Sequence, residues 1–281
     1  LFKEADDVLG INLSKIILEG PKEKLDLTEN AQPAIFLISY SIFNVVLKEF
    51  NIDLKKAKYF AGHSLGEYSA LSAAGYLGFS DTLKLLKIRG KAMQSAVPEG
   101  KGGMLAVLGS TIEILEKILI ESQKNSSIQI ANDNSVGQIV LSGNNTDLNN
   151  FIDVLKINKI KNIKLPVSAP FHCKLMKYAS GIISEEIKNI EIDNPKNNII
   201  SNVTASLIDD KSQIKDLLIK QIENKVRWRE SVNYMIKKGT KKFIEIGPGK
   251  VLSNLIKRID KNIIIQSINN DDEIRNLNLN D

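Results

Sequence analysis

The sequence predicts an α/β protein: a large domain on a mostly parallel sheet with a nucleophile elbow, carrying an inserted ferredoxin-like βαββαβ subdomain. Three observations predict it. Short apolar runs, YFAG, NNIISNV, KKFIEIG and NIIIQSI, alternate with helical stretches in the outer parts of the chain, as strands covered by helices do. From Gly102 onward, six segments follow in the order β-α-β-β-α-β, a split βαβ unit that can close a core of its own. Finally, GHSLG at positions 62–66 joins a strand-like run directly to a helix-like one. The insert is placed at residues 99–166, and the large domain at residues 1–98 and 167–281.

In chain order, FKEADDVLG is helical from the outset, and because the first residue is Leu1 the chain reads as one whose start lies further upstream. AIFLISYSIFNVVL is strongly apolar, but Ser39, Tyr40, Ser41 and Asn44 interrupt it, which predicts a buried helix and no membrane span. KYFAG is a short strand ending at Gly62, and Glu67 to Ala74 a helix of small residues. DTLKLLKIRGKAMQ is amphipathic. In the insert, MLAVLG, SIQIAN, GQIVLSG and IKNIKLPV are strands, while STIEILEKILIESQ and NTDLNNFIDVLK are helices. Two prolines stiffen the loop LPVSAPFHCKLM. Gly247-Pro248-Gly249 turns a strand into a helix; a phosphate loop is excluded because valine follows Lys250. The polar tail DDEIRNLNLND is expected to fray.

Of the 281 residues, 43% are hydrophobic and 25% charged, the balance of a globular chain long enough for a large core. One cysteine, Cys173, and two histidines exclude a disulfide framework within the chain and leave no metal-ligand cluster, which fits a reducing cytoplasm. A net charge of +5 favours acidic partners, and without a basic stripe interleaved with aromatics nucleic acid is not expected.

An elbow lifts Ser64 to a helix N-terminus, where the N–H of Leu65 could meet an oxyanion; the plainer alternative is that Ser64 only caps the helix. A serine nucleophile needs a base. His63 is its chain neighbour and points elsewhere, which leaves His172, on the stiffened loop. Cys173 reads as buried filler. Arg89 falls at helical spacing from Leu85, Leu86 and Met93, on the apolar stripe of its helix. Either it snorkels or meets an internal carboxylate, or it is a guanidinium aimed at a substrate carboxylate.

AGHSLGEYSAL, IRGKAMQSAVPEG, NDNSVGQIVLSG, LPVSAPFHCKLM, ISNVTA and EIGPGKVLSNLIKRI together resemble the bacterial malonyl-CoA:acyl carrier protein transacylases, in order and over nearly the whole chain. The resemblance implies a malonyl-serine at Ser64, His172 as base and acid, and Arg89 as the clamp for the malonyl carboxylate. It implies that the main-chain carbonyl of Gln221 orients His172, its side chain mattering little, and that Leu65 gives an oxyanion N–H. His63 and Asn132 would line the pocket, and Phe171 would favour malonyl over branched groups. The implied substrates are malonyl-CoA, a coenzyme A thioester, and holo-acyl carrier protein, serving fatty acid synthesis with no cofactor and no metal. The family opens with a strand and a GQGSQ segment giving a second oxyanion donor, and this sequence contains none. A polyketide-type acyltransferase, a serine hydrolase with a similar elbow, and an inactive carrier-binding module remain as alternative readings.

Overall fold

A helical period runs through the first hundred residues, and the backbone follows it. The computed structural model describes residues 1–50, 52–122, 126–167 and 169–277. Its elements begin with helices α1 (Phe2–Leu9), α2 (Leu13–Glu19), α3 (Lys22–Leu25), α4 (Thr28–Lys48), α5 (Leu65–Ala74) and α6 (Phe79–Ser95). Next come β1 (Gly102–Leu108), α7 (Ile112–Ser122), β2 (Gln129–Ser135), β3 (Gln138–Asn144), α8 (Asn145–Ile157) and β4 (Lys161–Lys164). The rest is α9 (Lys177–Glu186), α10 (Ile214–Glu223), α11 (Trp228–Lys237), β5 (Lys242–Ile246), α12 (Val251–Ile259), β6 (Ile264–Ile268) and α13 (Asp271–Arg275).

By length and composition α4 could cross a membrane, yet Ala34, Phe36, Leu37, Phe43 and Val46 are buried within the protein. Phe36 and Leu37 pack in one cluster with Leu71 of α5 and Leu85 and Leu86 of α6. Burying each such side chain stabilises by roughly 1.5–3 kcal/mol, so tertiary packing holds α4 in the core its polar interruptions predict. A Cβ on Gly90 would lie 2.4 Å from the carbonyl oxygen of Thr28, so only glycine lets α6 pass this close to the start of α4. That approach brings Gln32 of α4 beside Arg89 of α6.

The central segments form one four-stranded sheet in the order β2-β3-β1-β4, with every neighbouring pair antiparallel. Alternation decides which side chains go where. Leu105 and Val107 of β1 join Leu115 of α7 and Leu148, Phe151 and Leu155 of α8 in one apolar cluster. Met104, from the other face of β1, meets Ala131, Val140 and Phe171, so the sheet carries the His172 loop on its back. A bond from Ser142 Oγ to the Phe171 carbonyl, 2.6 Å, pins that loop.

The outer parts are less sheet-like than their sequence predicts. Among the described residues their strands are β5 and β6, paired in parallel, while YFAG and NNIISNV meet through one parallel bridge, Phe60 to Ile199. Both runs are cut short by turns: the first enters the elbow at Gly62, and the second folds back where Ser201 bonds to Ser206. The expected fraying of the tail is corrected too, because α13 forms there and buries Ile274, while residues 278–281 lie outside the described residues, as do Gln123 and Ser168 within predicted segments.

Candidate active site

The elbow forms at Ser64, whose φ of 54° and ψ of −111° are a conformation that side chains normally avoid. A Cβ on Gly62 would stand 1.9 Å from the carbonyl oxygen of Gly66, so the chain can double back here only through glycine. Asn202 clamps the turn, accepting from the Ser64 N–H at 2.7 Å and donating to the Gly62 carbonyl at 2.7 Å. The Ser64 side chain makes no capping bond to α5. Its hydroxyl lies instead 2.8 Å from His172 Nε2. The N–H of Leu65, first in α5, has no partner among the described residues.

His172 is itself held at a φ of 58°, a second strained position in the same site. Its Nδ1 lies 2.8 Å from the main-chain oxygen of Gln221. A carbonyl only accepts, so Nδ1 carries the hydrogen and Nε2 turns its lone pair to Ser64. Burial first, then the nearby Arg89 charge, pushes the imidazole down to about 3, so the ring is neutral. Burial raises the neighbouring Cys173 thiol to about 11, and its Sγ donates to the Pro170 carbonyl, so it is no nucleophile.

Arg89 is 1% exposed and does not snorkel. Its Nη1 donates to Gln32 Oε1 at 2.6 Å, and its Nη2 to Ser64 Oγ at 3.0 Å and to Gln221 Oε1 at 2.8 Å. The guanidinium also sits 5.4 Å from the centre of the Tyr68 ring. Every side chain it bonds is neutral. Such a buried cation beside a nucleophile is suited to receive an anion.

The Gln221 side chain, expected to matter little, is engaged on both its amide atoms. Fully buried, it holds Arg89 through Oε1, while its Nε2 donates to the Ser64 carbonyl at 2.9 Å and to Glu67 Oε2 at 2.6 Å. His63 turns from Ser64 to Asn134 Oδ1 at 2.8 Å and rests against the Trp228 ring. Asn132 is buried in β2 and paired with Val226, and no side-chain bond joins it to Ser64, His172, Arg89 or His63. Sequence reasoning missed Gln32, Glu67, Asn134 and Asn202. Glu67, Asn134 and Asn202 lie inside quoted motifs, but nothing local announces which polar residue turns inward.

Beside His172 a cleft of about 410 Å³ opens between α7, β2 and the end of α10, with Leu119, Ile120, Gln129, Ile130 and Asn224 among its walls. A family profile described as the acyl transferase domain matches residues 3–270. The chain belongs to the acyl transferase family. The malonyl CoA-acyl carrier protein transacylase of Bacillus subtilis is 42% identical to this acyltransferase over 265 residues, 94% of this chain and 82% of the relative. The Escherichia coli K12 transacylase is 36% identical over 269 residues, covering 95% and 86%. The acyltransferase superposes on the crystal structure of acyl-carrier-protein-S-malonyltransferase from Bartonella henselae with a TM-score of 0.94 and 40% identity, over 98% of this chain and 88% of that one. A malonyl-transacylase in complex with a type II PKS acyl-carrier protein gives a TM-score of 0.93 at 35% identity, over 98% and 88%.

Proposed function

We propose that Ser64, His172 and Arg89 carry out the transfer of a malonyl group from malonyl-CoA to acyl carrier protein. One observation carries this assignment: a single serine hydroxyl within hydrogen-bond reach of both a neutral imidazole and a buried guanidinium. The transferase activity itself, and acyl carrier protein as partner, follow from relatives that match almost end to end. As Ser64 Oγ attacks the thioester carbonyl, its proton passes to His172 Nε2, and the C–S bond breaks as that proton goes to the departing coenzyme A sulfur. The carrier's thiol then gives a proton to the same nitrogen, its sulfur attacks the malonyl-serine ester, and Ser64 recovers its hydrogen.

Leu65 offers its free N–H to the oxyanion of each tetrahedral intermediate. Arg89 takes the malonyl carboxylate, and that charge offsets the guanidinium field that lowers His172. The acidic-partner reading gives the carrier a docking side along exposed Lys161, Lys164, Lys174 and Lys177. In the same reading residues 99–166 are a ferredoxin-like insert, residues 1–98 and 167–281 form the large domain, and the enzyme works in the cytoplasm.

Mass spectrometry of holo-carrier protein incubated with malonyl-CoA and the enzyme tests the assignment. Malonyl-carrier should accumulate, and Ser64→Ala should form none. Release of free malonate without malonyl-carrier would point to a hydrolase instead.

A further inference from the structure

The mechanism above does not use a buried carboxyl group that lies beside Ser64. Glu67, in the first turn of α5, is completely buried, and burial raises its carboxyl to about 7, opposed chiefly by its bond from Gln221. Keeping an ionisable group in such a place is costly unless it is engaged. Its Oε2 accepts from Gln221 Nε2 at 2.6 Å and from the Asn202 N–H at 3.2 Å.

Those two bonds reach both halves of the site. Asn202 is the clamp on the elbow, bonded to the Ser64 N–H and the Gly62 carbonyl. Gln221 holds His172 through its main-chain oxygen and Arg89 through its side-chain oxygen. An arginine only donates hydrogen bonds, and Oε2 of Glu67 only accepts them here. The Gln221 amide between them therefore has one satisfied orientation, oxygen toward Arg89 and nitrogen toward Glu67. Without the acceptor at Glu67, Nε2 keeps only the Ser64 carbonyl to hold that orientation, and a flipped amide would set its NH₂ group against the guanidinium.

We infer that Glu67 is a positioning residue for acyl-group selection: by fixing the Gln221 amide it holds the Arg89 guanidinium at Ser64, where a carboxylate-bearing acyl group is recognised. The inference rests on the reading of Arg89 as the carboxylate clamp, and it adds a residue that contacts neither substrate nor the reacting atoms. Two conservative variants separate reach from charge. Glu67→Gln keeps an acceptor oxygen at the same distance and loses the charge. Glu67→Asp keeps the charge and withdraws it by about 1.5 Å, one bond length.

The test compares kcat/KM for malonyl-CoA and acetyl-CoA in the full protein, with Arg89→Ala alongside. Glu67→Asp should lower the malonyl-to-acetyl ratio about 10- to 100-fold, mainly through the malonyl KM, as expected for a lost hydrogen bond to a charged network. Glu67→Gln should keep the ratio within about threefold of wild type. A merely structural Glu67 would lower both thioesters alike. An unchanged ratio in Glu67→Asp, or an equal fall in both variants, overturns the inference. An unchanged ratio in Arg89→Ala would instead overturn the reading of Arg89 itself.

Discussion

The apolar cluster beneath the antiparallel sheet draws on residues from Leu105 to Leu155, neighbours in the chain as well as in space. The polar cluster at Ser64 joins Gln32, Glu67, Arg89, His172, Asn202 and Gln221, brought together from opposite ends of the sequence. The first is held by contacts without direction, so any residue of the right size serves and losses are shared among neighbours. In the second each bond has one donor and one acceptor, and removing a partner leaves a buried polar group unsatisfied. Damage to the sheet unit should therefore appear as lost stability, and damage to the site as lost discrimination.

Arg89→Ala puts the largest strain on this contrast. A site built around a buried cation rejects a group that leaves the cation unpaired, a penalty of roughly 3–5 kcal/mol. The malonyl-to-acetyl ratio of kcat/KM should fall about 10²- to 10⁴-fold in this variant, with acetyl transfer retained or improved. Arg89→Lys should recover only part, because an ammonium cannot make the two-pronged contact. Phe151→Ala is the counterpart in the sheet unit. The emptied space under β1 and β3 should cost about 3–5 kcal/mol in urea unfolding while leaving that ratio unchanged in the folded fraction. A changed ratio in Phe151→Ala would mean that the two regions are not separable.

How far each region could be read from sequence follows from the same difference. All four strands and both helices of the central unit are legible, because apolar periods of two and of three to four residues are local signals. The elbow is legible because GHSLG compresses a strained turn into five adjacent residues. Arg89 stands out as a charge on an apolar stripe. The roles of Gln32, Glu67, Asn134 and Asn202 are not legible, since a polar residue turned inward looks like one turned outward until the chain folds. The extent of the parallel sheet in the outer parts, expected to include YFAG and NNIISNV, is overestimated for a related reason. Apolar runs announce burial, but the turns at Gly62 and Ser201 decide how many rungs form.

Gln221 gives a smaller and more pointed test, because its two roles use different atoms. Truncation to alanine leaves the carbonyl that orients His172 and removes the bonds to Arg89, Ser64 and Glu67. Gln221→Ala should lower malonyl kcat/KM about 10- to 100-fold, with acetyl transfer much less affected. Equal loss for both thioesters would place the damage at His172 rather than at Arg89.

The smallest effect is a slope. His172 titrates near 3 in the folded protein, below its ordinary 6.5, because burial and then Arg89 disfavour the imidazolium. The unfolded chain takes up that proton below about pH 6.5 and the folded one does not until about 3, so this contribution to stability is lost as pH is lowered through the window, by about 1.4 kcal/mol per unit. Glu67, raised from 4.5 to about 7, acts in the opposite sense between those values and flattens the net trend. Replacing His172 with glutamine removes only the first contribution. The difference in unfolding free energy between wild type and His172→Gln should therefore shrink steadily from pH 6.5 toward 4.5, whereas parallel curves would mean that the folded ring protonates like a free one.

The contrast between the two regions turns on Ser64 being the atom around which the polar cluster is built. Peptide mapping by mass spectrometry, after a brief incubation with malonyl-CoA and an acid quench, reads this directly. The malonyl group should sit on the peptide containing Ser64 and vanish in Ser64→Ala. In His172→Ala it should form at least about 10⁴-fold more slowly, as when a serine nucleophile loses its base. A malonyl adduct that persists in Ser64→Ala, or maps to another residue in the wild type, would contradict the account.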